Sequence, residues 1–205
     1  KPMKLYYSPT SPYVRKVMMV LHHTGQIDRV ALVDTAGTPL APASNLLAKN
    51  PLTKVPALER PDGPTLFDSR VICAYLDAIG DGGLYPQGDS RWDVLTLEAL
   101  ADGILDAALA MTYEARLRPE DKQWPEWVDG QWDKIARACT AVNERWMSHL
   151  AGPLDMGQIA LACALGYVDF RHGARNWRAG NEALAEWYAG FESRADFAAT
   201  APPAG

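Results

Sequence analysis

The chain has 205 residues, 48% of them hydrophobic, and a net charge of −5. That length holds one domain or two small ones with an ample core, and nothing in the composition reads as disordered. The negative charge argues against nucleic acid as a general partner, so any anionic ligand needs a local positive site.

Lys1-Pro2, ahead of Met3, reads as an expression remnant. Residues 4–7 predict a first strand. Ser11 is a good helix N-cap and Pro12 suits the first helical position. The helix they open carries Val14, Val17, Met18 and Leu21 at spacings of three and four and stops at Gly25. Its apolar run 17–21 is too short for a signal peptide. Residues 30–33 predict a second strand, and residues 35–49, rich in Pro and Ala, a loop with a short helix.

Residues 50–58 hold the most informative stretch. Val55-Pro56 opens an apolar strand, and proline cannot donate to a ladder, so the strand begins after it. If the bond is cis, the Val55 N–H and C=O face outward and can pair with an extended peptide. A Pro- and Gly-rich turn leads to a short strand at 65–67. Asp68-Ser69 then start a helix marked by Val71, Ile72, Tyr75, Leu76 and Ile79. Helix N-termini bind carboxylates, so a peptide edge beside one suggests a small peptide-like ligand.

The first 79 residues therefore predict a β-α-β-α-β-β-α, thioredoxin-like domain. Residues 80–89 form a linker. Residues 90–205 contain no convincing strand and predict an all-helical domain, with helices over 95–117, 127–150, 159–170 and 183–191. Asp155 and Gln158 form a capping-box pattern before the third. The fold class is α+β. No segment approaches a membrane span. Cys73, Cys139 and Cys163 are widely spaced and odd in number, which fits neither a disulfide framework nor a zinc site and suits a reducing cytoplasm. All three fall in helices and are expected in the core. Most of Trp124, Trp127, Trp132, Trp146, Trp177 and Trp187 are core candidates too.

This pattern resembles the soluble glutathione S-transferase family over nearly the whole chain. Residues 54–58 look like its cis-proline strand, Asp68-Ser69 like its acidic-Ser pair, and Leu84-Tyr85-Pro86 like its linker end. Asp155 to Gln158 falls on its capping box, where the usual pattern is Ser/Thr-x-x-Asp. Residues 11–15, 98–104 and 162–167 look closest to a bacterial YibF-like branch.

The resemblance implies glutathione as co-substrate. Val55 would pair with its cysteinyl unit, Ser69 would hold the γ-glutamyl carboxylate and Asp68 the amine. Lys54 would serve the peptide or glycyl end. In isolation the same residues read as a helix cap and a solvated lysine. Ser11 is the candidate catalytic residue: a hydroxyl at a helix N-terminus can donate to the thiolate, which is the nucleophile. Ser8 and Thr10 are rival hydroxyls in the loop, and Tyr6 and Tyr7 weaker ones. Thr10 and Tyr13, with Asp102, Asp106, Tyr113 and Arg116 on one face of the long helix, are candidates for the acceptor pocket or dimer cleft; a solvated face is the alternative. Arg15 and Lys16 follow in the first turns of the helix, and Arg15 suits either solvent or the site's electrostatics. His22 and His23 read as structural, His149 and His172 as isolated, and no metal site is expected.

The implied activity is cytoplasmic glutathione transfer to a small hydrophobic electrophile by a homodimer, with no nucleic acid or membrane partner. Glutathione-dependent peroxidase or disulfide reductase activity is the alternative on the same site. A non-catalytic binding protein is a third reading.

Overall fold

The structure is a computed structural model that describes residues 2–204, so the reading of Lys1 falls outside the described residues. The chain divides into two compact units. One runs to Leu84 and also takes in the segment from Ala195 on; the other spans Tyr85–Arg194.

In the first unit, β1 (Met3–Tyr7), β2 (Val30–Asp34) and β3 (Ala57–Glu59) form a sheet of order β2-β1-β3. Leu5 stands opposite Leu32 in the parallel β1–β2 pair and opposite Leu58 in the antiparallel β1–β3 pair. A parallel pair needs a crossover, which α1 (Pro12–His23) supplies. Gly25 lies just past its end at φ 67°, a left-handed conformation that glycine adopts without a Cβ clash. α2 (Ser69–Gly80) packs against α1. Leu5, Val17, Val20, Leu58, Ile72 and Leu76 are fully buried. Side chains of this size contribute about 1.5–3 kcal/mol each when removed from water.

Two local expectations give way to simpler geometry. Residues 35–49 form a Thr38–Ala41 bridge and a run of turns, with no helix. Leu46 N–H donates to the Ala43 carbonyl and Lys49 N–H to that of Leu46. Gly37, Pro39 and Pro42 interrupt the helical ladder just upstream, since proline brings no donor and glycine a high ordering cost. The expected strand at 65–67 shrinks to one bridge, in which Leu58 and Leu66 exchange both backbone hydrogen bonds. Pro64 precedes it and cannot extend the ladder. The thioredoxin-like unit followed by a helical unit stands.

The first half of the expected linker is folded onto α2. The buried Asp77 carboxylate accepts from Leu84 N–H at 3.0 Å, and the Asp77 carbonyl accepts from Gly82 N–H. In the second unit, the Tyr85 hydroxyl donates to Glu98 at 2.7 Å.

The helical unit comprises α3 (Ser90–Leu117), α4 (Pro125–Arg145), the short α5 (Met147–Leu150), α6 (Met156–His172) and α7 (Glu182–Glu192). The helix expected over 127–150 is thus broken at Trp146. α6 is buried on all sides from Met156 to Val168 and packs chiefly on α3. Asp155 caps it, accepting from Gln158 N–H at 2.9 Å. The Gln158 side chain does not return to Asp155 as a reciprocal box would; its amide donates to the Pro153 carbonyl at 2.8 Å. Trp177 is buried, whereas Trp124 and Trp127 are exposed and leave the core assignment. The sharp exit from α3 is held by Glu114, which accepts from Trp124 N–H and from the Arg118 guanidinium. Those bonds hold the Glu114 carboxyl below its usual range.

The last helix, α8 (Ala195–Ala199), belongs to the first unit, although the sequence reading placed it with the helical half. Its seat on α1 is Arg15, buried against Phe197.

Candidate functional site

β3 runs antiparallel to β1, so the entry to β3 and the exit from β1 share one end of the sheet. Val55-Pro56 enters β3 through a cis bond. The Val55 N–H and C=O make no hydrogen bond among the described residues. The Val55 side chain packs on the cluster of Tyr6, Ala43, Leu46 and Ala57, which fixes the backbone beside it. Tyr6 is the one of the Tyr6-Tyr7 pair that is committed to the core.

Asn50 builds the turn before Val55. It is buried; its side-chain oxygen accepts from Leu52 N–H at 3.0 Å and its amide donates to the Lys54 carbonyl at 2.9 Å. The Lys54 side chain is exposed and forms no ion pair among the described residues. Sequence reasoning missed Asn50. The signal was there: Asn-Pro favours turn initiation, and an asparagine side chain bonds its own backbone two residues on.

At the exit from β1, the Ser8 and Thr10 hydroxyls lie 3.3 Å apart and bond one another. Ser11 is the N-cap of α1; its Oγ accepts from Val14 N–H at 3.2 Å. Capping uses only a lone pair. The hydroxyl hydrogen has no acceptor among the described residues and can be donated to a ligand. Tyr13 follows in the first turn, half-buried.

Ser69 opens α2 and is 2% exposed. Its Oγ accepts from the Nζ of Lys16 at 3.3 Å. Lys16 is fully buried. α1 is covered by more than one neighbour, and an amphipathic pattern anticipates only one. Asp68 caps α2 by accepting from Arg70 N–H at 3.0 Å, and its second oxygen accepts from the Arg70 guanidinium at 3.1 Å. Burial pushes the Asp68 carboxyl up, but the bonds from Arg70, its charge and that of Lys16 outweigh this and hold it below its usual range. Arg70 is a further cation beside this terminus that sequence reasoning passed over.

Arg15 does not face solvent. It is buried, donates to the Phe197 carbonyl and to Thr200 Oγ1, and lies over the Phe197 ring. Asp102, Asp106, Tyr113 and Arg116 all lie on α3, in the helical unit: Asp102 is buried, Asp106 and Arg116 are exposed, and burial raises the half-buried Tyr113 hydroxyl above its ordinary range, with Tyr167 adding to the rise. His172 is not isolated: its Nε2 lies 2.9 Å from the Ala108 carbonyl and 3.0 Å from Thr112 Oγ1. His149 pairs with Asp155 at 2.7 Å. Among the described residues, no group of three His, Cys, Asp or Glu side chains could hold a metal, and no helix is long and apolar enough to cross a membrane.

A thioredoxin-like unit with a cis-proline edge and a serine-capped first helix, followed by a helical bundle, defines a class of thiol-handling proteins. Residues 10–79 match the glutathione S-transferase N-terminal domain, and residues 125–190 the glutathione S-transferase C-terminal domain. The chain is 32% identical to the uncharacterized GST-like protein YibF of Escherichia coli K12, over 98% of this chain and 99% of the relative. A crystal structure of a glutathione transferase family member from Pseudomonas fluorescens Pf-5, with bound glutathione, superposes with TM-score 0.96 at 48% identity, covering 98% of this chain and 99% of the other. A structure of a family member from the same strain with bound S-(propanoic acid)-glutathione gives TM-score 0.90 at 46% identity, over 98% of this chain and all of the other. The chain belongs to the glutathione S-transferase family.

Proposed function

We propose that this protein is a glutathione transferase that holds the glutathione thiolate at Ser11. The observation that carries the reading is the Ser11 hydroxyl: it caps α1 with a lone pair, and its hydrogen has no acceptor among the described residues. The positive end of the α1 dipole adds to that stabilisation. Val55 supplies the unpaired N–H and C=O for the cysteinyl unit, Ser69 the γ-glutamyl carboxylate contact and Asp68 the amine contact, with Lys54 toward the glycyl end. The thiol proton leaves to water. The thiolate sulfur forms a bond to an electrophilic carbon, whose leaving group departs with its electron pair or whose adjacent π bond takes up the electrons. The Pseudomonas relative with a bound glutathione thioether supports this kind of product. Thr10 and Tyr13, and Asp102, Asp106, Tyr113 and Arg116 of α3, are the proposed acceptor-side or dimer-cleft residues. The protein acts in the cytoplasm as a homodimer on a small hydrophobic electrophile.

The test is the ultraviolet absorbance of bound thiolate against pH. Ser11→Ala raises the bound thiol pKa by about one unit, equivalent to ~1.4 kcal/mol. An unchanged pKa removes Ser11 from the role, and Ser8→Ala and Thr10→Val then identify which hydroxyl serves.

A further inference from the structure

The ligand chemistry proposed above asks an acidic protein to hold a carboxylate at Ser69. Lys16 is the cation that bonds Ser69, while Arg70 beside it bonds Asp68. Lys16 lies on α1, one turn past the Ser11 cap, and reaches across to α2 with no exposed surface. Its contact with Ser69 fixes the direction of a hydrogen bond. Lysine donates and never accepts, so the Ser69 oxygen must be the acceptor. The single Ser69 hydrogen is therefore directed away from Lys16 and toward whatever acceptor meets the start of α2. Bonds that line up this way polarise one another.

We infer that Lys16 is the positioning and charge-selecting residue for the α-carboxylate of the ligand's γ-glutamyl group, acting through Ser69. This rests on the glutathione reading of the site. Ser69 makes the contact; Lys16 orients its hydroxyl and places a buried positive charge behind it. The same lysine couples α1, which carries Ser11, to α2, which carries the carboxylate site. Its contribution is to ligand affinity and to the choice of an anionic γ-glutamyl end, not to the chemistry at sulfur.

Calorimetry on the full chain separates these roles, with two ligands: glutathione, and 4-aminobutyryl-cysteinylglycine, which lacks only that carboxylate. Lys16→Met, of similar length and without charge, weakens glutathione binding about tenfold to a hundredfold and leaves the analogue within about twofold of its wild-type affinity. The thiol pKa of bound glutathione stays near the wild-type value. Equal losses for both ligands, or no loss for either, overturn the proposal while leaving glutathione binding intact. If Lys16→Met melts before it can be titrated, Ser69→Ala carries the same expectation, and a retained preference for glutathione in that variant overturns the relay. Failure of the wild type to bind glutathione at all overturns both this proposal and the reading beneath it, and is recognised by occurring without any substitution.

Discussion

The Arg15 guanidinium stands 3.5 Å over the centre of the Phe197 ring and donates to the Phe197 carbonyl. A second bond from its Nε to Thr200 Oγ1, at 3.2 Å, completes the clasp. The segment after Ala195 thus becomes part of the unit that carries Ser11. Removing the ring leaves a cavity beneath a buried cation. Phe197→Ala should cost about 3–5 kcal/mol, the range for a core Phe truncation. Urea denaturation followed by circular dichroism measures it. A loss below about 1 kcal/mol would show that the clasp is not needed to hold α1.

Gly157 gives an opposite pair of expectations on one chemical change. A Cβ there would lie 3.0 Å from both Cβ and Cδ2 of Leu97, so α6 approaches α3 only because the glycine is bare. Gly157→Ala should destabilise by about 1–3 kcal/mol through overpacking, despite the helix propensity gained. Gly130 of α4 has no atom within 4 Å of the same added carbon. Gly130→Ala should stabilise by about 0.5–1 kcal/mol. Thermal melts of the two variants check the signs. Stabilisation by both would mean that the α3–α6 contact yields at little cost.

Much of this architecture was legible in local patterns. Ser11-Pro12 and Asp155 act over three residues, so a cap can be read without knowing the fold, and each caps its helix. The Val55-Pro56 edge was legible because proline restricts its own backbone whatever surrounds it. Arg15 and Lys16 were not. Each lies on a helix whose neighbours, α8 and the start of α2, come from distant parts of the chain. Their burial depends on those contacts and not on periodicity. α8 has five residues, too few to show a period. His172 failed for the same reason: its partners, Ala108 and Thr112, are more than 50 residues away. The residues expected to form the glutathione site were found from a pattern of types at set spacings. The buried cation behind it came only from the fold.

His172 gives the chain a pH dependence. Burial is the largest influence on its ring and lowers the pKa from the ordinary 6.5; the bond with the Ala108 carbonyl opposes this, and the charges of Arg175 and Arg171 lower it further. As pH falls below 6.5, the unfolded chain takes up a proton that the folded chain still refuses. Stability is therefore complete above that value and is lost progressively down to the folded pKa. His172→Gln, which can still donate to the Ala108 carbonyl, should flatten the slope of unfolding free energy against pH just below 6.5. Asp68 and Glu114 are carboxyls lowered from below 5, so their losses begin at more acidic pH and do not obscure this one. Denaturant titrations at several pH values decide the matter. An unaltered slope in the variant would exclude His172 as the source.

The cysteines bear on which chemistry the site performs. A family protein that forms a mixed disulfide with glutathione needs an accessible thiolate of its own. Cys73, Cys139 and Cys163 are all buried, and burial, with a smaller contribution from the charge of Asp169, pushes the Cys139 thiol up to about 12. At neutral pH such a thiol is almost wholly protonated and out of reach of a disulfide. The native protein should therefore resist an aromatic disulfide reagent and keep its intact mass after incubation with oxidised glutathione. In strong denaturant all three thiols should react. Rapid labelling of the folded protein, or a mass increase of one glutathione, would move the activity toward disulfide reduction. Resistance combined with turnover of an electrophile would place the reacting sulfur on glutathione itself, where the Ser11 hydroxyl can meet it.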